Sequence, residues 1–239
     1  MSPFVRYSLM NSPFLAVFAS LLLATNVLGQ NQTLNLPRYD SKPVHFGFIL
    51  GINQMDFRVR TATQLPESVF NVKSTQQPGF MVGIVSNFRL NKHMDLRHIP
   101  TYSAGERLLQ FDALDPSTGQ RRWIDKKVES SLVILPLELK LKTERIGNHR
   151  WYAIASANYT LDLASKAKVV DDRLFKLQQQ DFGYDLGVGL DLYFEYFKFS
   201  PQLRYQFGQG DLRVQDGTNY VASLNGLQSR CTYIVFTFE

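Results

Sequence analysis

Apolar and polar residues alternate with a period of two along most of the chain beyond residue 43, and helical spacing is nearly absent. Asp181–Phe194 shows the pattern most cleanly. Phe182, Tyr184, Leu186, Val188, Leu190, Leu192 and Phe194 share one parity, while Asp181, Gly183, Asp185, Gly187, Gly189, Asp191 and Tyr193 share the other. The next segment puts Phe197, Phe199, Pro201, Leu203, Tyr205 and Phe207 opposite Tyr196, Lys198, Ser200, Gln202, Arg204 and Gln206. A two-residue hairpin over Glu195-Tyr196 would set Phe194 beside Phe197 on one face, although the turn lacks the glycine such hairpins prefer.

The same reading along the chain predicts eight strands, roughly 44–57, 79–90, 94–107, 128–142, 149–163, 181–194, 197–208 and 228–239. The segments between them, about 58–78, 91–93, 108–127, 143–148, 164–180, 195–196 and 209–227, alternate long and short. An even strand number with short turns at one end and long loops at the other is the pattern of an antiparallel, up-and-down transmembrane barrel. Both termini then fall on the short-turn side, which is periplasmic in such barrels. The last strand ends near an aromatic, Phe238, although Glu239 follows it.

Alternation does not say which face is inside. A lipocalin-like binder would turn the oily face inward, and a membrane barrel would turn it toward lipid. Three features favour lipid. The aromatic-rich runs are long enough to cross the hydrocarbon at the usual tilt. The other face carries unlike charges able to pair across a narrow lumen: Arg89, Arg97, Lys140, Arg150 and Arg204 against Glu138, Asp162, Asp185 and Asp191. Glycines on that face leave room for long arginines in an interior only wide enough for side chains to fill. The expected lipid-facing set is Phe182, Tyr184, Leu186, Val188, Leu190, Leu192, Phe194, Phe197 and Phe199. Lipid cannot satisfy an open strand edge, so the sheet must close, and eight strands imply a plugged lumen.

Composition narrows the compartment. The 239 residues include 18 Phe and 11 Tyr, too much apolar surface for a disordered chain, and Cys231 has no intrachain partner for a disulfide. No run of about 18 apolar residues exists for a spanning helix. The first 29 residues read as a cleaved export signal: Arg6 without acids, the apolar core Phe14–Ala24, then small Gly29 before Gln30. Residues 30–43, with Pro37 and Pro43, form a polar lead-in, and 44–239 form the barrel. Of the 26 basic and 21 acidic side chains, only Arg6 precedes Gln30, so the net charge after cleavage is 25 − 21, or +4. An exported chain does not meet cytoplasmic nucleic acid. Its basic surface suits phosphorylated lipid or an acidic partner.

Catalytic hardware is thin. His93 and His98 flank a turn, His45 faces the lumen, and no histidine follows His149, so the late strands offer no nucleophile–base pair. We expect no enzymatic activity, no cofactor, no metal site and no small-molecule substrate. Asp171-Asp172 is a solvated turn or a weak cation site, and Cys231 a small lumen residue. Arg121-Arg122-Trp123 with Lys126-Lys127 suits either lipopolysaccharide phosphates at the outer rim or a plain solvated strand end.

Leu36-Pro-Arg-Tyr-Asp-Ser-Lys-Pro-Val-His-Phe-Gly-Phe-Ile-Leu-Gly-Ile-Asn-Gln-Met-Asp-Phe57 resembles the opening of the PorT family, as do Asp95–Arg107, Leu135–Lys140 and Asp181–Asp191 more loosely. These are outer-membrane proteins of the Bacteroidetes linked to the type IX secretion system. The resemblance implies a non-catalytic role in exporting proteins with C-terminal sorting domains, including proteases and, in gliding species, adhesins. It implies protein partners among the secretion components beside outer-membrane lipid. Arg38, Tyr39 and Asp40 in the periplasmic lead-in are the expected contact, or else a cap on the barrel mouth. A small barrel for adhesion or envelope integrity and a soluble periplasmic ligand binder remain the alternatives.

Overall fold

The computed structural model describes residues 33–115, 118–165, 176–215 and 217–239. The expected signal over 1–29, and Asp171 and Asp172, lie outside them. The strands are β1 (Val44–Thr61), β2 (Val69–Thr75), β3 (Gln77–Arg89), β4 (Met94–His98), β5 (Thr101–Leu114), β6 (Arg121–Lys142), β7 (His149–Asp162), β8 (Gln180–Tyr193), β9 (Lys198–Gly208) and β10 (Leu224–Phe238). A 3-10 turn at Tyr39–Ser41 precedes β1, and a short helix α1 (Asn219–Ala222) precedes β10.

Every pairing is antiparallel, and the sheet closes on itself. β1 pairs with β10 from Phe48↔Phe238 onward and with β3 from Val44↔Phe88 to Met55↔Gln77. β4 and β5 both lie between β3 and β6 and together make one stave, so the ring has eight. The interruption between them is Ile99-Pro100. Proline has no N–H to give the ladder, so the hydrogen bonding breaks while the inward parity of Asp95, Arg97, Ile99, Thr101 and Ser103 continues.

Two expected loops are largely strand. β1 runs on to Thr61, β2 occupies 69–75 within the expected 58–78 loop, and β5 and β6 extend their hairpin until only 115–120 connects them. Their outer ends bury an apolar face, and that burial orders segments whose short alternation is too weak to read alone. β2 pairs only with β5, so beyond Met55 the wall parts between β1 and β2. Ser74 bridges this seam by hydrogen-bonding the Asp56 carboxylate and accepting the Phe57 N–H at 3.1 Å.

The oily parity faces outward. Phe182, Tyr184, Leu186, Val188, Phe194 and Phe197 are exposed, whereas Asp185 and Asp191 are buried. Leu190 keeps the outward register but is only 5% exposed, because the Trp151 indole stands directly opposite it. Leu192 and Phe199 are half-buried in the aromatic group at the short-turn end. There Phe194 stacks on Phe197 at 5.1 Å, Phe48 on Phe238 at 5.0 Å and Phe199 packs on Phe238 at 5.2 Å. A second aromatic group, Tyr159 with Phe182 and Tyr184 with Phe207, has centroids 4.9 Å apart in each pair. On β8 the two groups are twelve residues apart (Phe182 to Phe194). At about 3.4 Å per residue and a tilt of about 40° they flank a band roughly 30 Å tall. The hairpin between β8 and β9 has the expected two-residue loop, closed by the Phe194 N–H donating to the Phe197 carbonyl at 3.0 Å.

The glycines serve a purpose other than the expected one. A Cβ at Gly189 would overlap the Tyr152 ring, and one at Gly187 would meet Ile154. The room they leave is filled by inward aromatic and aliphatic side chains rather than by arginines.

Candidate functional site

The middle of the lumen is a chain of ion pairs. Arg97 reaches Glu138 at 3.0 Å, Glu138 reaches Arg204 at 3.0 Å and Arg204 reaches Asp185 at 2.9 Å. Asp185 also accepts from Asn158 at 2.6 Å, and Asn158 from Gln206 at 3.2 Å. Nearer the short-turn end, Lys140 holds Asp191 at 2.7 Å, and Arg150 bridges Asp191 at 3.3 Å and Asp40 at 3.0 Å. The Lys140 ammonium lies 3.8 Å from the centroid of the Tyr152 ring that Gly189 admits. Toward the long loops, Arg107 meets Asp162 at 3.2 Å and Ser130 at 2.7 Å.

Among the described residues the buried lumen cations are Arg97, Arg107, Lys140, Lys142, Arg150, Lys198 and Arg204. The acids are Asp95, Glu138, Asp162, Asp181, Asp185 and Asp191, with the buried Glu239 side chain beside Lys198 as the seventh. Along the wall these seven cations face seven carboxylates, and Asp40 of the lead-in adds a further carboxylate at the mouth. Balance is physically required, since an unpaired buried ion costs several kcal/mol after relaxation.

Of the residues expected in this network, Arg97, Glu138, Lys140, Arg150, Asp162, Asp185, Asp191 and Arg204 are all in it. Arg89 is not: it is half-exposed at the short-turn mouth, with its Nε 3.4 Å from the Asn91 carbonyl. It sits at the end of β3 across from Asp95, whose carboxylate is taken by Lys142. Asp95, Arg107, Lys142, Lys198 and Glu239 were missed. Each continues the inward parity of its strand, so the signal was present. Glu239, a departure from a terminal aromatic in the sequence, is the inward partner of Lys198 and lies 3.8 Å from Arg97.

The lead-in folds onto the mouth. Asp40 accepts from the Tyr193 hydroxyl at 2.8 Å and from Arg150 at 3.0 Å, with Arg145 at 3.7 Å. Burial alone would raise the Asp40 pKa, but Arg150 and the Tyr193 hydrogen bond outweigh it and hold the carboxyl below its ordinary range. Tyr39 stacks on His45 at 4.3 Å, meets Tyr193 edge-on at 6.3 Å and lies under the Lys198 ammonium at 4.7 Å. Burial pushes its phenol well above the usual tyrosine range. Tyr39 and Asp40 are therefore both half-buried and turned toward the barrel mouth, where Arg150, Tyr193 and Lys198 hold them. Arg38 remains exposed.

The long-loop end is closed differently. Phe57, Val69, Val72, Leu109, Phe111, Leu177, Leu212, Val221, Leu224 and Leu227 form an apolar cluster there. The backbone of Gln178 donates to Leu212 at 2.9 Å, and Leu212 donates to Leu227 at 2.8 Å, tying two connecting segments to β10. Outside this cap, Arg121 and Arg122 are met by Asp112 at 2.6 Å and Asp115 at 2.7 Å. The basic cluster expected to meet lipopolysaccharide is thus half neutralised within the chain. Lys127 is left exposed. The histidines are scattered: His45 under Tyr39, His98 with Nδ1 2.8 Å from the Pro136 carbonyl, and His93 beside Glu144 at 3.5 Å.

An oily outer wall around a closed ring, with paired charges inside and aromatic groups at both borders of the wall, defines a small outer-membrane barrel and excludes the soluble binder with its faces reversed. The chain belongs to the outer membrane protein beta-barrel domain family, which matches residues 29–213. Among solved structures it is similar to Neisserial surface protein A at 11% identity (TM-score 0.45), with 82% of this chain and 97% of that one covered. The outer membrane protein OprG from Pseudomonas aeruginosa aligns at 14% identity (TM-score 0.43), with 82% and 91% covered. The outer membrane protein AlkL aligns at 12% identity (TM-score 0.38), with 90% and 93% covered. No curated protein matches. The protein resides in the outer membrane.

Proposed function

We propose that this barrel is a non-conducting, non-catalytic anchor that serves the type IX secretion system, with its short-turn end and both termini in the periplasm. The observation that carries the reading is closure at both ends. Paired charges fill the lumen, an apolar cap seals one mouth, and the chain's own lead-in seals the other. A barrel shut in this way offers no conduit, so its use lies in what it holds in place. The resemblance of residues 36–57 to the PorT family supplies the system. The lead-in acts as a mouth cap, with exposed Arg38 as the part left to face the periplasm.

Deleting the gene should stop secretion of a reporter carrying a C-terminal sorting domain and leave it in the periplasm. Normal export from the deletion strain would end the secretion reading. Planar-bilayer recording of the purified barrel should show no large, stable openings. A second reading, adhesion through the long-loop end, draws on the exposed Phe70 and Trp123, each lying beneath a cation, Arg121 at 4.3 Å and Lys73 at 4.7 Å. Replacing residues 115–120 would impair attachment without changing export if that reading holds.

A further inference from the structure

We propose that the short-turn mouth carries a docking pocket for an acidic peptide segment of a protein partner; the secretion reading bears on it only in making that partner a periplasmic protein. A cavity of about 270 Å³ lies between the lead-in and the turns joining β3 to β4 and β6 to β7. Five of its lining residues are cationic, Arg89, Lys92, Lys142, Arg145 and Arg150, against two carboxylates, Asp40 and Glu144.

The carboxylates nearby are already committed. Asp40 is held by Arg150 and Tyr193, and Arg145 is drawn up at 3.7 Å. Arg145 is also fixed as a strut, donating to the Asn35 carbonyl at 2.5 Å with its guanidinium 3.7 Å from the Tyr193 ring centroid. Asp95 stands across the ladder from Arg89, but its oxygen is 2.5 Å from Lys142. Glu144 holds Lys92 at 2.7 Å in an exposed pair, a kind of contact that water screens and a stronger ligand displaces. Among the described residues Arg89 has no carboxylate at ion-pair distance. The pocket is thus built with positive charge to spare on Arg89, and Lys92 beside it is held only by that displaceable pair.

The source of the missing anion can be narrowed. Residues 1–34 contain no Asp or Glu, so the chain's own N-terminal segment cannot fill it. Arg89, Lys142 and Arg150 follow the inward parity of their strands, which places the positive floor inside the ring, away from acyl chains outside the wall. A headgroup tethered in the surrounding leaflet would have to reach over the rim, whereas an extended peptide carrying carboxylates can approach from the periplasmic side and lay its side chains into the cavity beside the lead-in.

The test uses the full-length barrel in phosphatidylcholine nanodiscs and fluorescein-labelled hexaglutamate, read by anisotropy at low ionic strength. The peptide should bind, and the double variant Arg89→Gln with Lys92→Gln should weaken it by roughly tenfold. Lys127→Gln, at the opposite end, should change nothing. All variants should keep heat-modifiable gel mobility, since the substituted side chains lie outside the buried network. Unchanged affinity in the double variant overturns the pocket. Displacement by inorganic phosphate at concentrations equal to the peptide's would make it a free-anion site instead. Absence of peptide binding, with loss of phosphatidylglycerol retention in the double variant, would assign it to lipid and also overturn the proposal. Lost export in the deletion strain without hexaglutamate binding would keep the secretion role and remove the pocket, and binding with normal export would do the reverse.

Discussion

The two ends of this barrel are closed by opposite chemistries. From the middle of the lumen to the short-turn mouth, closure is ionic, with the Glu138–Arg204 pair at the middle and Arg150 bridging Asp191 to Asp40 at the mouth. At the long-loop mouth, closure is apolar and centres on Phe111, Leu109 and Leu227. The difference follows from surroundings. Within the band the outer face is already oily, so the inner face must carry the residues that make the interior specific, and charges there survive only in balance. Beyond the band, water bathes both sides of the extended β5–β6 hairpin and β2. Those elements must build an ordinary hydrophobic core of their own to stay ordered. The ionic end holds its geometry by directional pairs, while the apolar end tolerates adjustment as long as volume is kept.

Removing the shared carboxylate should have the largest effect. Glu138→Ala removes the carboxylate that Arg97 and Arg204 share, leaving Arg97 only Glu239 at 3.8 Å and Arg204 only Asp185, so that one buried positive charge is uncompensated, and should cost about 3–5 kcal/mol of barrel stability. Urea unfolding in lipid vesicles reads this as a lower midpoint. Phe111→Ala should cost about 3 kcal/mol, with the loss confined to the cap. Limited proteolysis should then nick segment 209–223 while the transmembrane wall stays resistant. If the Phe111 variant instead unfolds the whole barrel at the midpoint of the Glu138 variant, the two ends are one cooperative unit and the contrast fails.

A charge on the wall between the ends tests neither closure. Leu186→Arg should cost about 2 kcal/mol through contact with lipid, leaving both mouths as protected from protease as in the parent. Smaller still is Asp40→Asn, worth about 1 kcal/mol locally. It should loosen the lead-in and speed trypsin cleavage after the exposed Arg38, with no change in the urea midpoint. The smallest effect concerns pH. The Asp40 pKa lies below its ordinary 3.8 in the folded state, so its contribution is complete above that value and is lost as pH falls through the folded pKa. A spin label at Ser41→Cys should stay immobile from neutral pH down to about pH 4 and gain mobility only below it. Release at pH 6 would show that another group holds the lead-in.

Periodicity alone located the staves, the outward face from Phe182 to Val188, the Glu195-Tyr196 turn and most of the lumen charges, because a strand assigns its side chains to two sides by parity. It was silent on matters of distance. Which carboxylate meets which cation, that Arg89 lies outside the network, that Tyr39 and Asp40 turn toward the mouth, and that Glu239 answers Lys198 all depend on strand register and tilt around a closed ring. Register is a property of pairs of strands, and no single strand states it. The cap over the long-loop end was equally hidden, since its residues come from β1, β2, β5, β6, β10 and two connecting segments and meet only after the ring has closed. Local alternation decided which side chains face in; closure decided what each of them finds there.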